Sequence, residues 1–224
     1  MKSSLLRALI IGAPASGKGT ISNRIVKSFD VQHLSSGDLL RHHILNKTEL
    51  GQAANKYITE GLLVPDKLII NLVIDELKKL KTSNWLLDGF PRTRNQALEL
   101  SLAFPVNVVI NLIVPYDVII HRVQQRWIHA RSGRIYNTEF SPPKIMGKDD
   151  VTGEDLIQRP DDQPEAVKRR LNEYAEIIHP VLEFYKHFNV VHDFHGKTSD
   201  EIWPKVQDFL SSIIEPKVKC SSSN

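Results

Sequence analysis

The fold is decided by LLRALIIGAPASGKGT, residues 5–20. An apolar run, Leu5 to Ile11, leads into nine residues that contain three glycines and one lysine. Glycine costs backbone entropy, so it is kept where the chain must bend sharply or approach another group closely. Gly12, Gly17 and Lys18 fit the first seven positions of the G-x-x-x-x-G-K-[ST] phosphate loop. The eighth position is Gly19, and the hydroxyl comes one residue later, at Thr20. The segment TISNRIVKSF then places Ile21, Ile25 and Val26 on one helical side. A strand, a glycine loop and a helix start aim backbone N–H groups at an anion, and Lys18 adds a point charge. A tight turn that binds nothing is the alternative.

Four further apolar runs read as strands: VQHLSS, WLLDGF, VNVVINLIV and NVVHDF. Amphipathic segments lie between them. Leu68, Ile69, Leu72 and Val73 share a face in one, and Val167, Leu171 and Tyr174 in another, with Pro65 and Pro164 at the expected helix starts. Near-continuous apolar strands alternating with helices predict an α/β fold with a parallel sheet covered on both faces. Ligands in such sheets bind beyond the carboxyl ends of the strands. One stretch breaks the rhythm. Residues 130–163 are rich in Gly, Pro and Asp without helical period, and read as a small β-rich insert able to move.

Bulk properties exclude several classes. The 224 residues suit one large domain or a core with inserts, and 41% apolar content supplies a core. A net charge of +3 is too weak to argue for nucleic acid. The single Cys220, in the polar ending KVKCSSSN, excludes an intrachain disulfide. No apolar run approaches the ~18 residues of a membrane span. Five Lys/Arg and no acid precede Asp30, as in a transit peptide. The first core strand, however, is expected by Leu5, which leaves no room for a removable segment.

Candidate chemistry gathers at the strand ends. Asp88 ends the buried strand within WLLDGF, beside the phosphate loop, where a carboxylate can hold Mg²⁺ directly or through water, or cap the next helix. Arg122 and Arg126 are four apart on the expected helix PYDVIIHRVQQRWIH, which would point both the same way. With Arg92, Arg159 and Arg170 they stand near loop or insert boundaries, as phosphoryl transfer requires of its charged donors. Arg169 reads as part of a solvated face.

GAPASGKGT, LSSGDLLR, DGFPRT, RWIHARSGRIYN and the two aspartates of RPDDQPE, in this order, resemble the adenylate kinase family over almost the whole chain. Within it the sequence is most similar to the mitochondrial long-lid branch that uses GTP as donor. The resemblance implies an α/β phosphate-loop nucleotide kinase with a five-stranded parallel sheet: a core of residues 1–127 and 159–216, a monophosphate-binding insert at 35–64, a lid at 128–158 and a flexible tail at 217–224. It implies reversible phosphoryl transfer from a Mg²⁺-bound nucleoside triphosphate, GTP preferred, to AMP. It also implies a monomer in the mitochondrial matrix, or else in the cytoplasm, with no nucleic-acid or membrane partner. An ATP-preferring enzyme and a non-catalytic nucleotide-binding scaffold are the alternatives. A short-lid kinase of UMP or CMP fits the long insert poorly.

Position by position, the resemblance assigns the donor nucleotide to Gly17, Lys18, Gly19, Thr20, Arg122, Ile135, Tyr136 and Ser199, the last in a loop from Gly196. AMP falls to Ser36, Arg41, Leu62, Leu63, Val64, Gly89, Phe90, Pro91, Arg92, Gln96, Arg159 and Arg170. Lys18, Arg92, Arg126, Arg159 and Arg170 surround the transferred phosphoryl. The Gln96 amide has an acceptor and a donor to suit adenine N6 and N1, though a flipped amide would partly suit guanine. An exposed helix residue is the other reading of Gln96. Some relatives hold the lid with zinc. The matching residues here are His129, Ser132, Asp149 and Thr152, a poor zinc set, read as a hydrogen-bond network or as unrelated surface residues. One departure is Ala15, where the family has glycine. Alanine is strained there if the loop needs a positive φ.

Overall fold

A computed structural model of the chain describes residues 5–59, 64–158 and 164–217. β1 (Arg7–Gly12) runs into α1 (Lys18–Ser28), and β2 (Gln32–Ser35) into α2 (Ser36–Leu45) and α3 (Glu49–Thr59). α4 (Asp66–Lys79) leads to β3 (Trp85–Asp88), α5 (Arg94–Ala103), β4 (Val108–Ile113) and α6 (Tyr116–Gln124). A short antiparallel pair follows, β5 (Arg126–Ile128) with β6 (Ile135–Asn137). α7 (Pro164–Lys186), β7 (Val191–His195) and α8 (Ser199–Ser211) complete the core.

The main sheet has five parallel strands in the order β2-β3-β1-β4-β7. The expected sheet is therefore present, made from the five runs picked out by their apolarity. Its two faces are visible in β1. Ala8 and Ile10 join one core cluster with Ile21, Ile25, Ile202 and Val206 of α1 and α8. Leu9 and Ile11 join the other, with Ile69, Val73, Ala97 and Leu100 of α4 and α5. The period-two alternation of a strand thus places consecutive β1 residues in opposite layers. α7 serves both: Val167 and Leu171 pack in the first cluster, Val181 and Tyr185 in the second.

This packing fixes the functional edge. Gly12, Ser35, Asp88 and Ile113 are the last residues of their strands. Register pairs Ser35 with Asp88, and Ile10 with Asp88 on the other side. The phosphate loop, α2 and the DGFPRT turn therefore leave the sheet side by side.

Two boundaries differ from the sequence reading. α6 stops at Gln124, where the Gln125 N–H turns back to the Val123 carbonyl. Arg126 belongs to β5, paired with Asn137, so it does not share a helix face with Arg122. The aromatic and β-branched pair Trp127 and Ile128 favours the extended chain, and the lid sheet starts before residue 128. At the other end, Lys217 is held rather than loose: its N–H donates to Ser28 O at 2.7 Å and its Nζ to Val26 O at 2.8 Å.

Candidate active site

The loop between β1 and α1 turns through two left-handed residues, Ala15 at φ 58° and Gly17 at φ 95°. Gly17 is the N-cap of α1, with no side-chain cap and no acid in the first turn, so the positive end of the helix is not offset by its own first turn. Lys18 Nζ donates to Gly12 O at 2.7 Å and Ala13 O at 3.0 Å, which folds the ammonium back along the loop. Gly19 and Thr20 complete that first turn, with space around Gly19 and Thr20 exposed.

Arg122, from the last turn of α6, closes the loop from outside. Its Nη1 donates to Ala15 O at 3.4 Å and its Nη2 to Lys197 O. Burial lowers the guanidinium pKa from its usual value and Glu201 opposes that shift. Ser199 stands over the turn, because a Cβ on Gly17 would lie 2.7 Å from its Oγ. Gly17, Lys18, Gly19, Thr20, Arg122 and Ser199 are thus brought together. Beside them a hollow opens among Val114, Tyr116, His195 and Lys197. Of the other two donor candidates, Ile135 is exposed. Tyr136 is buried and its hydroxyl is engaged within the lid, donating to Asp149 at 2.9 Å and accepting from the Asp150 N–H at 2.9 Å. Only its ring and backbone are left for a nucleotide.

A second group forms at the ends of β2 and β3. Ser35 caps α2 through the Asp38 N–H at 3.2 Å, and Ser36 beside it is buried. Gly89 has φ 78°, and a Cβ there would meet Ser36 Oγ at 2.8 Å and Arg92 Nη2 at 3.5 Å. Arg92 Nε donates to Gly89 O at 2.8 Å. Arg41 pairs with Asp38 one turn earlier. Phe90, Pro91 and Val64 are buried. Gln96 is also buried, at 2% exposure, so it is not the exposed helix residue that its sequence position allowed. Its Oε1 accepts the Arg92 N–H at 2.7 Å and its Nε2 donates to Asp66 Oδ1 at 2.6 Å.

Asp88 ends β3 between the two groups, with His33 Nε2 at 4.0 Å. It does not cap α5, because Thr93 Oγ1 takes the Gln96 N–H at 3.2 Å. Leu62, Leu63 and Arg159 lie outside the described residues, as does the Arg170 side chain, whose backbone is in α7.

The lid is organised around one buried carboxylate. Arg134 donates to Asp149 Oδ1 at 2.8 Å and Oδ2 at 2.6 Å, and the Thr152 hydroxyl and N–H reach Oδ2 at 2.9 and 2.8 Å. His129 Nδ1 meets Ser132 Oγ at 2.7 Å, and Nε2 meets Glu154 Oε2 at 2.6 Å. Sequence reasoning missed Arg134 and Glu154, since each reads as an ordinary turn charge. Arg134, with Thr152 and Tyr136, holds the Asp149 carboxyl well below the usual carboxylate range, and His129 lowers Glu154. The lid also approaches α2: a Cβ on Gly133 would lie 3.5 Å from Asp38 Oδ1. Asn137 Nδ2 donates to Arg122 O at 3.2 Å, which ties the lid sheet to the donor group.

Comparison with known proteins gives the family. The adenylate kinase family profile matches residues 10–190. A Drosophila melanogaster protein named GTP:AMP phosphotransferase, mitochondrial, is 48% identical over 214 residues, covering 96% of this chain and 99% of its own. A Saccharomyces cerevisiae protein of the same name is 42% identical over 217 residues, covering 92% and 93%. A Buchnera aphidicola adenylate kinase is 41% identical over 184 residues, covering 81% and 86%.

The strained loop residue and the lid carboxylate can both be tested. Alanine in the left-handed region costs about 1–2 kcal/mol, and glycine adds back about 0.4–1 kcal/mol of unfolded-chain entropy. Ala15→Gly should therefore raise stability by about 0.5–1 kcal/mol net, seen as a melting temperature a few degrees higher. An unchanged or lower value would mean that Ala15 is not strained. In the lid, a depressed carboxyl stabilises above its unfolded pKa of about 4 and loses that contribution as pH falls toward its folded value. Hydrogen-exchange protection of residues 126–157, taken relative to the intrinsic rate at each pH, should hold from neutral pH to about pH 5 and fall on further acidification. At neutral pH, Asp149→Asn should speed lid exchange roughly tenfold or more, the scale of losing a charge-assisted hydrogen bond, with the five-stranded core unchanged. Equal exchange in variant and wild type would remove Asp149 from the centre of the lid.

Proposed function

The chain belongs to the adenylate kinase family, and from that premise we propose that it transfers the γ-phosphoryl of a Mg²⁺-bound nucleoside triphosphate, preferentially GTP, reversibly to AMP, giving GDP and ADP. The observation that carries this reading is the pairing of two phosphate-suited groups at adjacent strand ends. Loop residues Gly12 to Lys18 with Arg122 and Ser199 form the donor side. Ser36, Gly89 and Arg92 form the acceptor side. The preference for GTP is supported by the relatives whose names carry it.

No protein nucleophile is required. A phosphoryl group in flight spreads negative charge over its oxygens, so catalysis consists of holding the two ends in line and compensating that charge. Lys18 is placed to leave the Gly12 and Ala13 carbonyls for the donor phosphates. Arg92, Arg126, Arg159 and Arg170 supply the remaining permanent charge, with Arg41 and Ser36 on the AMP phosphate. Thr20 and Gly19 border the donor phosphates, and Leu62, Leu63 and Val64 border the AMP base and ribose. Residues 35–64 serve as the AMP-binding insert and 128–158 as a lid. Closure of the two excludes water, which would otherwise accept the phosphoryl.

Asp88 fits a Mg²⁺ ion, which keeps most of its waters and needs one or two carboxylates beside the substrate phosphates. Mg²⁺ would there offset the charge on the donor phosphates. The lid works without zinc, because the Arg134 guanidinium already supplies Asp149 with its cation. A mitochondrial place is supported by the same relatives, the matrix being the finer assignment. The enzyme acts as a monomer, and no helix among the described residues is long and apolar enough to cross a membrane.

The guanine preference has a specific physical demand. Guanine offers an acceptor at O6 and donors at N1 and N2, where adenine offers a donor at N6 and an acceptor at N1. We put the donor base at the hollow near Lys197, beside the loop that the resemblance assigns to it. The Lys197 N–H there is already engaged by Glu201 and its carbonyl by Arg122. Matched polar contacts discriminate strongly, because the wrong base leaves buried groups unpaired.

Lys18→Ala should keep the melting temperature and lose on the order of 10²–10³ in kcat; near-wild-type turnover at saturating substrates would overturn the mechanism. Donor preference is read from kcat/KM for GTP and ATP, each with AMP and Mg²⁺. GTP should give the higher value, and an ATP value equal to or above it would refute the preference. Protein purified without added metal should contain no stoichiometric zinc by elemental analysis; one zinc per chain would contradict the zinc-free lid.

A further inference from the structure

Asp66 opens α4, but its carboxylate reaches across to the first turn of α5. Oδ2 accepts from Thr93 Oγ1 at 2.9 Å and from Asn95 Nδ2 at 3.2 Å. Oδ1 accepts from Gln96 Nε2 at 2.6 Å. The other end of the Gln96 amide, Oε1, takes the Arg92 N–H at 2.7 Å. The two partners leave no ambiguity about which way the amide faces. An ionised carboxylate can only accept and a backbone N–H can only donate. Turning the amide over would set Oε1 against the carboxylate and Nε2 against the N–H. Two hydrogen bonds, one of them charge-assisted, would become two repulsions. Gln96 is buried, so water cannot compensate for them.

The locked amide has one N–H and one Oε1 lone pair left. With the acceptor base held in one orientation by its ribose and phosphate, this order of acceptor and donor matches the N6 amino group and N1 of adenine. Guanine, with O6 and N1–H in those places, needs the flipped amide. We infer that Asp66 is a positioning residue that sets acceptor selectivity: it locks the Gln96 amide in the orientation that pairs with AMP and rejects GMP. This rests on the reading of AMP as the acceptor and of Gln96 as the residue facing its base. A purely structural Asp66, tying α4 to α5 and favouring the start of α4, would affect all acceptors alike.

Asp66→Asn separates the two roles. Asparagine still accepts from Thr93 and Asn95, but its own amide can also donate to Gln96, so each orientation of the Gln96 amide then keeps one matched hydrogen bond and one mismatch, and the flipped state becomes accessible. With the donor saturating, the kcat/KM ratio of AMP over GMP should fall by roughly tenfold or more, the scale of a mismatched polar contact. The AMP KM should rise, the GMP KM should fall, and kcat with AMP should stay within about threefold. A ratio unchanged from wild type, in either a less active or an equally active variant, overturns the inference while leaving the phosphotransferase reading intact. Absence of AMP turnover in the wild-type enzyme would instead remove that reading, and the inference with it. A measurement on the wild-type protein does not depend on the variant folding. By ¹⁵N NMR, the Gln96 side-chain amide protons should exchange at least about tenfold more slowly than those of exposed Gln124. Equal rates would show that the amide is not locked and would overturn the proposal.

Discussion

Strand β1 is hydrogen-bonded on both edges, to β3 and to β4, and its side chains are buried on both faces of the sheet. Its last residue, Gly12, is packed so tightly that an added Cβ would meet Ser16 Oγ at 2.6 Å and Leu112 Cβ at 3.1 Å. The phosphate loop therefore starts from one of the most constrained points in the fold. The direction of α1, the position of Lys18 and the reach of Arg122 follow from that point. A loop attached to an edge strand would lack this definition, and charge compensation depends on donors held in place before the reaction begins.

Two further segments leave the same sheet edge beside the loop, and their proximity comes from register rather than from sequence nearness. Ser35 and Asp88 are cross-strand partners. Ser36, Gly89 and Arg92 then meet within a few ångströms although the chain between them spans α2, α3 and α4. The lid adds a different kind of order. It contributes few large buried side chains, and is held instead by Asp149 and its ring of donors. Such a unit can be rigid within itself, which would suit the cover over the nucleotides proposed above.

The sheet was legible in the sequence because buried parallel strands have a strong apolar signature. The loop was legible because few other roles require its glycine spacing. The strain foreseen at Ala15 is visible as a positive φ. The end of α6 was not legible: VIIHRVQQRW continues a helical pattern, and only the pairing of Arg126 with Asn137 ends it. Nor could sequence periodicity give the surroundings of Gln96. Its amide partners are the backbone of Arg92 and the carboxylate of Asp66, thirty positions away. Arg134 and Glu154 escaped for the same reason. Charges in a glycine-rich insert read as solvated until the folded chain shows which carboxylate they face.

The central claim is that this site moves a phosphoryl group between nucleotides rather than to water. The most direct measurement is ³¹P NMR of the enzyme mixed with GTP, AMP and Mg²⁺. The β-phosphate of ADP and the phosphates of GDP should appear together and in equal amounts, without a signal from inorganic phosphate. Inorganic phosphate growing in step with GDP, or an unchanged spectrum, would contradict the account.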